Sequence, residues 1–245
     1  MATQHPLDLL VRKLEHNHAL SNEDREAIRN LPFTVRTVPP ATYLSREGEP
    51  PSFCAVVVSG YAFRHKITGS GARQIVSLHI PGEALDFQSL SLACTDHNIQ
   101  TLTHTELAMV PMAAMRDLSA ARPAISKAIL RQLLVESSIF REWIVNVGRR
   151  SARERLAHLL CEFACRLDAQ GLSVPGGHYE LPMTQEQIGD ALGLTSVHVN
   201  RSIKALSEEG LLTRKGRILS FPDIRRLREV ADFSELYLHL AELPI

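Results

Sequence analysis

The sequence predicts an α+β protein in which an N-terminal β-domain is followed by a long helix and a C-terminal winged helix-turn-helix. Three observations support this fold class. Short β-type runs recur about every ten residues between Phe33 and Pro111, as in an antiparallel sandwich or barrel. A helical stripe of apolar residues begins after Pro123, and two short helical patterns flank Gly193.

Length and composition are those of a globular protein. With 245 residues, 44% of them hydrophobic, the chain can bury a core in one large or two moderate domains. Charges interrupt the N-terminus, and no window reaches the roughly 18 apolar residues of a spanning helix. We therefore expect a cytoplasmic protein without a membrane partner.

Positive charge is concentrated towards the C-terminus, although the net charge is zero. Between Arg149 and Arg228 there are 13 Lys and Arg residues against 9 Asp and Glu residues. Such a surplus favours binding to phosphates. This part of the chain is the candidate nucleic-acid-binding region.

The first predicted domain comprises residues 1–121. Its first 30 residues have helical apolar spacing, and Ser21 with Asp24 marks a helix start. From Phe33 onward, Gly, Pro, Ser and Asp separate the β-type runs and leave no room for a helix longer than a turn or two.

Core packing is the favoured interpretation of Cys161 and Cys165, with a redox or metal role as the alternative.

A long helix is predicted over residues 122–148. Pro123 suits a first helical turn, and about 25 residues at 1.5 Å each would extend about 37 Å. This is too long for a small β-domain to cover, so we expect the helix to pair with a second copy. The alternative is a helix packed wholly on its own β-domain. The predicted dimer interface is an apolar stripe of seven residues: Ile125, Ile129, Leu133, Ile139, Phe140, Trp143 and Val147.

The last predicted domain comprises residues 149–245. Gly148 and the two arginines after it interrupt the apolar pattern and form a candidate hinge. Ser151 with Glu154 is a capping-box pattern that starts a new helix. Residues 222–240 are expected to form one or two further helices, to which the sequence assigns no role.

Two short helices joined by a tight turn are predicted between Thr184 and Ser207. Thr184 caps the first helix, Gly193 turns in the left-handed conformation, and Thr195 caps the second helix. Gly189 leaves room for the second helix to cross closely. This spacing is that of a helix-turn-helix.

The second of these helices divides into an apolar and a polar half. At about 100° per residue, Val199, Ile203 and Leu206 share a face that should pack inward. Arg can bind guanine, and Asn adenine, through two hydrogen bonds each, so the polar half suits a DNA major groove. A solvated surface is the alternative. The polar half carries Val197, His198, Asn200, Arg201 and Lys204.

A basic-tipped hairpin is predicted after the second helix. Residues 211–213 and 217–221 are β-type runs around Lys215 and Gly216. As the wing of a winged helix, this hairpin would lie against phosphates, which favours DNA binding over a merely solvated surface.

Two segments, ARERLAHLL and MTQEQIGDALGLTSVHVNRSIKALSEEGLL, resemble the DNA-binding half of the Crp/Fnr superfamily of bacterial transcription regulators. The order of a β-domain, a long helix and a winged helix resembles this superfamily over about residues 30–221. The resemblance implies a double-stranded β-roll like a cyclic-nucleotide-binding domain, a homodimer, and a palindromic site on double-stranded DNA. For an activator, it also implies RNA polymerase as a partner.

The resemblance also implies roles for single residues. Arg201 matches the arginine that reads guanine, and Ser196, Val197 and Asn200 match other base-reading positions. Many members have an acidic residue where this chain has Val197, so the half-site should keep a guanine but differ at a neighbouring base. Positions expected to contact phosphates are Thr184, Gln185, Thr195, His198, Lys204 and Lys215.

The effector is unknown from the sequence. Members that bind cyclic AMP have a Gly-Glu pair and a later arginine, whereas here Asp86 and Phe87 stand near that pair and no arginine occurs between Arg73 and Arg116. A buried phosphate without a cation is costly, so cyclic AMP is not expected.

No cysteine precedes Cys54, which disfavours an iron–sulfur cluster. Haem binding is a further alternative, because four histidines that could bind the iron lie in or near the β-domain: His65, His79, His97 and His104.

A β-roll enzyme and a protein-interaction module are the alternative functions. The β-domain contains no HxH pattern, and the chain has no glycine-rich phosphate loop or G-x-S-x-G motif, so we expect no catalytic residue and no metal site. A winged helix that binds protein instead of DNA would keep its DNA affinity unchanged in an Arg201→Ala variant.

Overall fold

The computed structural model describes residues 5–172, 178–180, 183–215 and 218–240. Contacts divide the chain into two units, one formed by Met1–Lys66 and Ser77–Glu136 and the other by Ile67–Val76 and Ser137–Ile245. Among the described residues, no helix has both the length and the apolarity needed to cross a membrane.

The first unit begins with two helices, α1 (Asp8–Asn17) and α2 (Asn22–Arg29). Ser21 starts α2, because its hydroxyl accepts a hydrogen bond from Asp24 N while the Asp24 carboxylate accepts one from Ser21 N. This capping box satisfies two backbone N–H groups that have no partner inside the helix. The helix start predicted at Ser21 is confirmed.

Seven strands follow α2 and form two sheets, with orders β1-β7-β3 and β2-β6-β4-β5. β7 pairs antiparallel with β1 and β3, and β6 pairs antiparallel with β2 and β4. A 3-10 turn at Phe87–Leu90 is the helical segment described between β1 and β7, as the short β-type runs predict. The strands are β1 (Thr34–Val38), β2 (Tyr43–Ser45), β3 (Phe53–Ser59), β4 (Ala62–Ile67), β5 (Arg73–His79), β6 (Asn98–Thr101) and β7 (Thr105–Pro111).

Two helices follow the strands, α3 (Met112–Ala121) and α4 (Pro123–Arg149). α3 is not predicted from the sequence, although its alanine- and methionine-rich composition favours a helix. One hydrophobic core joins side chains of α1, β3, β7, α3 and the first turns of α4. The N-terminal helices and the start of α4 therefore cover the sheet that contains β3 and β7.

The core of the chain covers part of the predicted dimer stripe of α4. Ile125, Ile129, Ile139 and Trp143 are buried within the chain itself. Each of these four residues has less than a tenth of its surface exposed and so offers little area to a second copy, and its place in a dimer interface stays a prediction. Ile125 and Ile129 instead complete the core of the first unit. The other predicted interface residues are half-buried: Leu133, Phe140 and Val147.

In the second unit, α4 runs through Gly148 to Arg149 and the chain turns at Arg150 and Ser151, so the interruption predicted at Gly148 lies slightly later. Ser151 and Glu154 form the predicted capping box. A sheet of order β8-β10-β9 contains the wing, whose first strand covers residues 213–215 and not the predicted 211–213, and whose residues 216 and 217 lie outside the described part. The elements are α5 (Ala152–Ala169), β8 (His178–Glu180), α6 (Gln185–Leu192), α7 (Ser196–Glu208), β9 (Thr213–Lys215), β10 (Ile218–Ser220) and α8 (Ile224–Val230).

A buried carboxylate in α5 binds the segment that follows α8. Glu162 accepts hydrogen bonds from Trp143 Nε1 at 3.0 Å, Tyr237 OH at 2.9 Å and Arg166 Nη1 at 3.3 Å. Burial raises the pKa of Glu162, while these donors and the Arg166 charge favour its ionised form. The C-terminal segment, to which the sequence assigns no role, therefore anchors α5 and the end of α4.

His158 lies against the same segment. Its ring centroid is 5.2 Å from that of Phe233 and 5.8 Å from that of Tyr237, and Nε2 lies 3.2 Å from Glu142 Oε1. Burial, together with the Arg150 guanidinium, lowers the pKa of His158 to about 3. The imidazole is therefore neutral at neutral pH.

Candidate nucleic-acid interface

Local hydrogen bonds start both helices of the helix-turn-helix. Thr184 Oγ1 accepts from Gln187 N at 3.2 Å, and Gln187 Oε1 accepts from Thr184 N at 2.8 Å. At the start of α7, Thr195 Oγ1 accepts from His198 N at 3.4 Å. These bonds satisfy N–H groups that lack partners inside the helices. Both predicted caps are confirmed.

The turn between α6 and α7 depends on two glycines. Gly193 has a φ of 64°, in the left-handed region that favours glycine. Leu194 N donates to Gly189 O at 2.9 Å, and an ideal Cβ on Gly189 would lie only 2.4 Å from Leu194 O. The predicted roles of both glycines are confirmed, since one makes the turn and the other permits the close crossing.

α7 divides into a buried and an exposed half, as its sequence predicts. Val199, Ser202 and Leu206 are buried, and Ile203 is half-buried. α7 packs on α5 and α6. The exposed half contains six residues with predicted DNA contacts: Ser196, Val197, His198, Asn200, Arg201 and Lys204.

Two arginines of α5 hold the helix-turn-helix in place. Arg155 donates from Nη1 to Leu192 O and from Nε to Arg150 O, both at 2.9 Å. Arg153 Nε donates to Glu209 Oε1 at 2.8 Å, and this bonding lowers the pKa of Glu209. The contacts with Leu192 and Glu209 are not predicted from the sequence, because these partners lie 37 and 56 residues away along the chain.

The cations of the exposed half of α7 are available to bind a partner. Arg201 has no hydrogen-bond or ion-pair partner among the described residues. Lys204 Nζ lies 3.6 Å from Glu208 Oε1, and both side chains are exposed, so their attraction is worth at most about 1 kcal/mol. The Lys215 side chain, predicted to contact phosphate, lies outside the described part of the chain.

Gln185 and Asn200 bind each other across the two helices. Gln185 Nε2 donates to Asn200 Oδ1 at 2.5 Å, and Asn200 Nδ2 donates to Gln185 Oε1 at 2.7 Å. Gln185 is predicted from the sequence to contact a phosphate and Asn200 to contact a base, and their mutual contact is not predicted.

A cavity in the first unit has an acidic lining. It contains the carboxylates of Glu49 and Asp86 and no Lys or Arg side chain among the described residues. Arg64 donates from Nη2 to Leu85 O at 2.6 Å and from Nη1 to Glu136 Oε2 at 2.8 Å, so this guanidinium is already bound. These residues do not fit the phosphate of a cyclic nucleotide. The lining residues are Leu44, Ser45, Glu49, Pro50, Pro51, Ser52, Phe53, Ala55, Leu85, Asp86, Ile99 and Met109.

Two of the histidines considered as haem ligands already have partners inside the chain. His79 contacts Ser77 Oγ at 3.0 Å through Nε2 and Glu83 Oε2 at 3.4 Å through Nδ1. His97 Nδ1 contacts Asp96 Oδ1 at 2.7 Å. Each of the two imidazoles therefore has a polar neighbour from its own chain.

Comparison with known proteins decides the family. The model of the cyclic nucleotide-binding domain matches residues 35–122, and that of the Crp-like helix-turn-helix domain matches residues 154–230. The transcriptional activator protein FnrL of Cereibacter sphaeroides is 30% identical over 187 residues, which cover 75% of this chain and 75% of that protein. The chain belongs to the Crp/Fnr family.

Other Crp/Fnr proteins match over most of their length. The solved structure of FixK2 from Bradyrhizobium japonicum has a TM-score of 0.75 and 26% identity, and the match covers 82% of this chain and 98% of that one. An anaerobic regulatory protein of Pasteurella multocida is 25% identical over 227 residues, or 93% of this chain and 82% of that protein.

This Crp/Fnr protein is a DNA-binding transcription regulator, and its predicted fold class is confirmed. It has an N-terminal β-domain of the cyclic-nucleotide-binding type, a long helix and a C-terminal helix-turn-helix domain. Proteins of this family are transcription regulators and generally not enzymes.

Proposed function

We propose that this regulator binds a two-fold symmetric site on double-stranded DNA as a homodimer, with α7 of each copy in the major groove. The exposed half of α7 carries the proposal, because it presents polar and cationic side chains while the other half is buried. A helix in the major groove needs one face towards the bases and support from behind. The proposed base-reading residues are Ser196, Val197, Asn200 and Arg201.

Residues around this surface hold the DNA backbone. Thr184 and Thr195 cap the two helices, whose N-terminal N–H groups favour anions. Lys204 and Lys215 add positive charge on α7 and on the wing. The complete set of proposed phosphate contacts is Thr184, Gln185, Thr195, His198, Lys204 and Lys215.

The exposed side of α4 supports a homodimer. Leu130, Leu134 and Ile144 are 57%, 60% and 69% exposed in the single chain. Their positions fit a heptad pattern, which is the spacing of helices that pair along their length. Exposed apolar residues grouped in this way mark an interaction surface. We assign the dimer contact to these residues and not to the buried stripe.

Single charges on this surface test the dimer. Leu134→Glu or Ile144→Glu would place a carboxylate in the contact and should give monomers in analytical ultracentrifugation. Leu236→Glu is the matched control, because Leu236 is 75% exposed on the C-terminal segment and this variant should stay dimeric. A fully dimeric Leu134→Glu variant would show that the copies meet through another surface.

Selection of bound duplexes from a random library tests the DNA site. We expect a two-fold symmetric motif with a guanine in each half-site, the half-sites about 34 Å apart. Arg201→Ala should relax the guanine preference by roughly 1–3 kcal/mol, whereas Lys204→Ala should weaken binding to all sequences alike. If Arg201→Ala changed neither preference nor affinity, the winged helix would bind a protein instead.

Activation of transcription is the proposed outcome of binding. Several similar proteins are named transcriptional activators, which supports the same mode here, with RNA polymerase as a second partner in the cytoplasm. Transcription in vitro from a promoter that carries the selected site should rise when the regulator is added. A fall in transcript would assign repression.

A further inference from the structure

The paired amides of Gln185 and Asn200 lie at the proposed base-reading surface. Gln185 is the first residue of α6, and Asn200 lies in the exposed half of α7. Each side-chain amide donates one hydrogen bond to the other, at 2.5 Å and 2.7 Å. The two bonds close a ring in which each amide uses its oxygen and one N–H on the same edge.

An asparagine needs this same edge to read adenine. In the two-bond contact its oxygen accepts from adenine N6 while its N–H donates to adenine N7. A primary amide has a second N–H and a second oxygen lone pair, but these point away from each other. While the ring with Gln185 is closed, Asn200 can therefore give a base one hydrogen bond and not two.

We propose that Gln185 is a specificity-determining residue, which occupies the base-reading edge of Asn200 and weakens adenine selection at the base pair facing it. This inference rests on the proposed placement of α7 in the major groove. The DNA partner stays the same. Gln185 changes only the base preference of the protein at one position of the DNA site.

The size of the effect follows from the hydrogen bonds involved. A two-bond base contact discriminates by roughly 5- to 140-fold. One neutral hydrogen bond contributes roughly 2- to 12-fold to an equilibrium, so the two bonds of the ring together contribute roughly 5- to 140-fold. Opening the Gln185 ring before adenine can bind thus offsets much of the discrimination that a free Asn200 would provide.

The Gln185 side chain is not needed to start α6. The helix is capped by Thr184 and Gln187, which bond to each other's backbone N–H groups. Gln185→Met would therefore remove the amide, keep a side chain of similar length and retain a good helix former. This variant should melt at the temperature of the wild type.

The test compares base preference in full-length proteins by selection from a random duplex library. The set comprises the wild type, Gln185→Met, Asn200→Ala and the double variant. Gln185→Met should gain at least about a threefold preference for adenine at one position per half-site, and the double variant should lose it. Relative preference is the readout, because Gln185 is also a proposed phosphate contact and overall affinity can fall.

The possible results separate this inference from the proposed function. If the wild type selects a symmetric motif but Gln185→Met selects the same bases, the inference is overturned and the proposed function stands. A gain of adenine preference that persists in the double variant also overturns the inference, since Asn200 would not be its source. If the wild type selects no motif, both fail.

Discussion

A single methyl group at Gly189 would test the closest backbone contact of the helix-turn-helix. An ideal Cβ at this position lies 2.4 Å from Leu194 O, whereas carbon and carbonyl oxygen approach each other to about 3.3–3.6 Å. In a Gly189→Ala variant the methyl group would overlap the oxygen by about 1 Å. The turn, and α7 behind it, would have to move.

Two opposing effects determine the stability of the Gly189→Ala variant. Alanine is about 1 kcal/mol better than glycine inside a helix, while overpacking of a well-packed site costs about 1–3 kcal/mol. The contacted atom belongs to the backbone and cannot rotate away, so the steric cost should prevail. We expect the free energy of unfolding to fall by up to about 2 kcal/mol and DNA binding to weaken, because the exposed half of α7 is displaced.

Gly148→Ala is the matched control. Gly148 lies in the last turn of α4 and no heavy atom surrounds its added Cβ within 4 Å, so alanine should stabilise the protein by up to about 1 kcal/mol. Urea unfolding followed by the fluorescence of Trp143, the single tryptophan, measures both variants, and fluorescence anisotropy with a labelled duplex measures binding. Equal stabilisation by both alanines, with normal binding, would refute the close crossing at Gly189.

Three other changes test the C-terminal segment, the pH dependence and the base preference. Tyr237→Phe removes a donor from a buried carboxylate and should lower the free energy of unfolding by about 1–3 kcal/mol, against less than about 0.5 kcal/mol for exposed Leu236→Ala, both measured in urea. The pKa of His158 is about 3 in the folded chain and 6.5 ordinarily, so the unfolded chain binds more protons between these values. Stability should fall below pH 6.5 by up to about 1.4 kcal/mol per pH unit, and His158→Phe should flatten this slope in urea titrations. Val197→Glu adds an acceptor on an exposed position and should favour cytosine at one base by about 1–3 kcal/mol in competition binding.

A specific result would contradict each of these three predictions. A Tyr237→Phe variant as stable as the wild type would mean that the tyrosine hydroxyl does not support Glu162. Parallel pH slopes for the wild type and His158→Phe would show that the histidine does not titrate differently on folding. An unchanged base preference in Val197→Glu would place this residue away from the base edges.

Much of the fold can be predicted because its signals are local. The bounds predicted for α6 agree with the structure, and α7 ends one residue beyond Ser207, where its prediction ends. Thr184 and Gly193 set the two ends of α6, and Thr195 sets the start of α7, through contacts within a few residues. The start of α3 lacks such a signal, because Pro111 precedes it without a side-chain cap, so this helix is not predicted from the sequence.

The candidate site is predicted less completely than the fold. Periodicity shows that Arg201 and Asn200 share the polar half of α7, since that relation depends only on helical geometry. It does not show that Gln185 occupies the edge of Asn200, or that Arg153 reaches Glu209. Those contacts join different helices, and their geometry depends on how the helices pack.

The sequence by itself determined where helices start and turn, and which half of α7 is polar, because these properties depend on residues within about one or two turns. Only the tertiary structure decided which side of α4 remains open. The helix carries apolar residues on more than one side, and the core of its own chain covers the side with Ile125 and Trp143 while leaving Leu130 and Ile144 exposed. Which side of α4 is buried depends on the surfaces that pack against the helix, and a local sequence pattern does not contain this information.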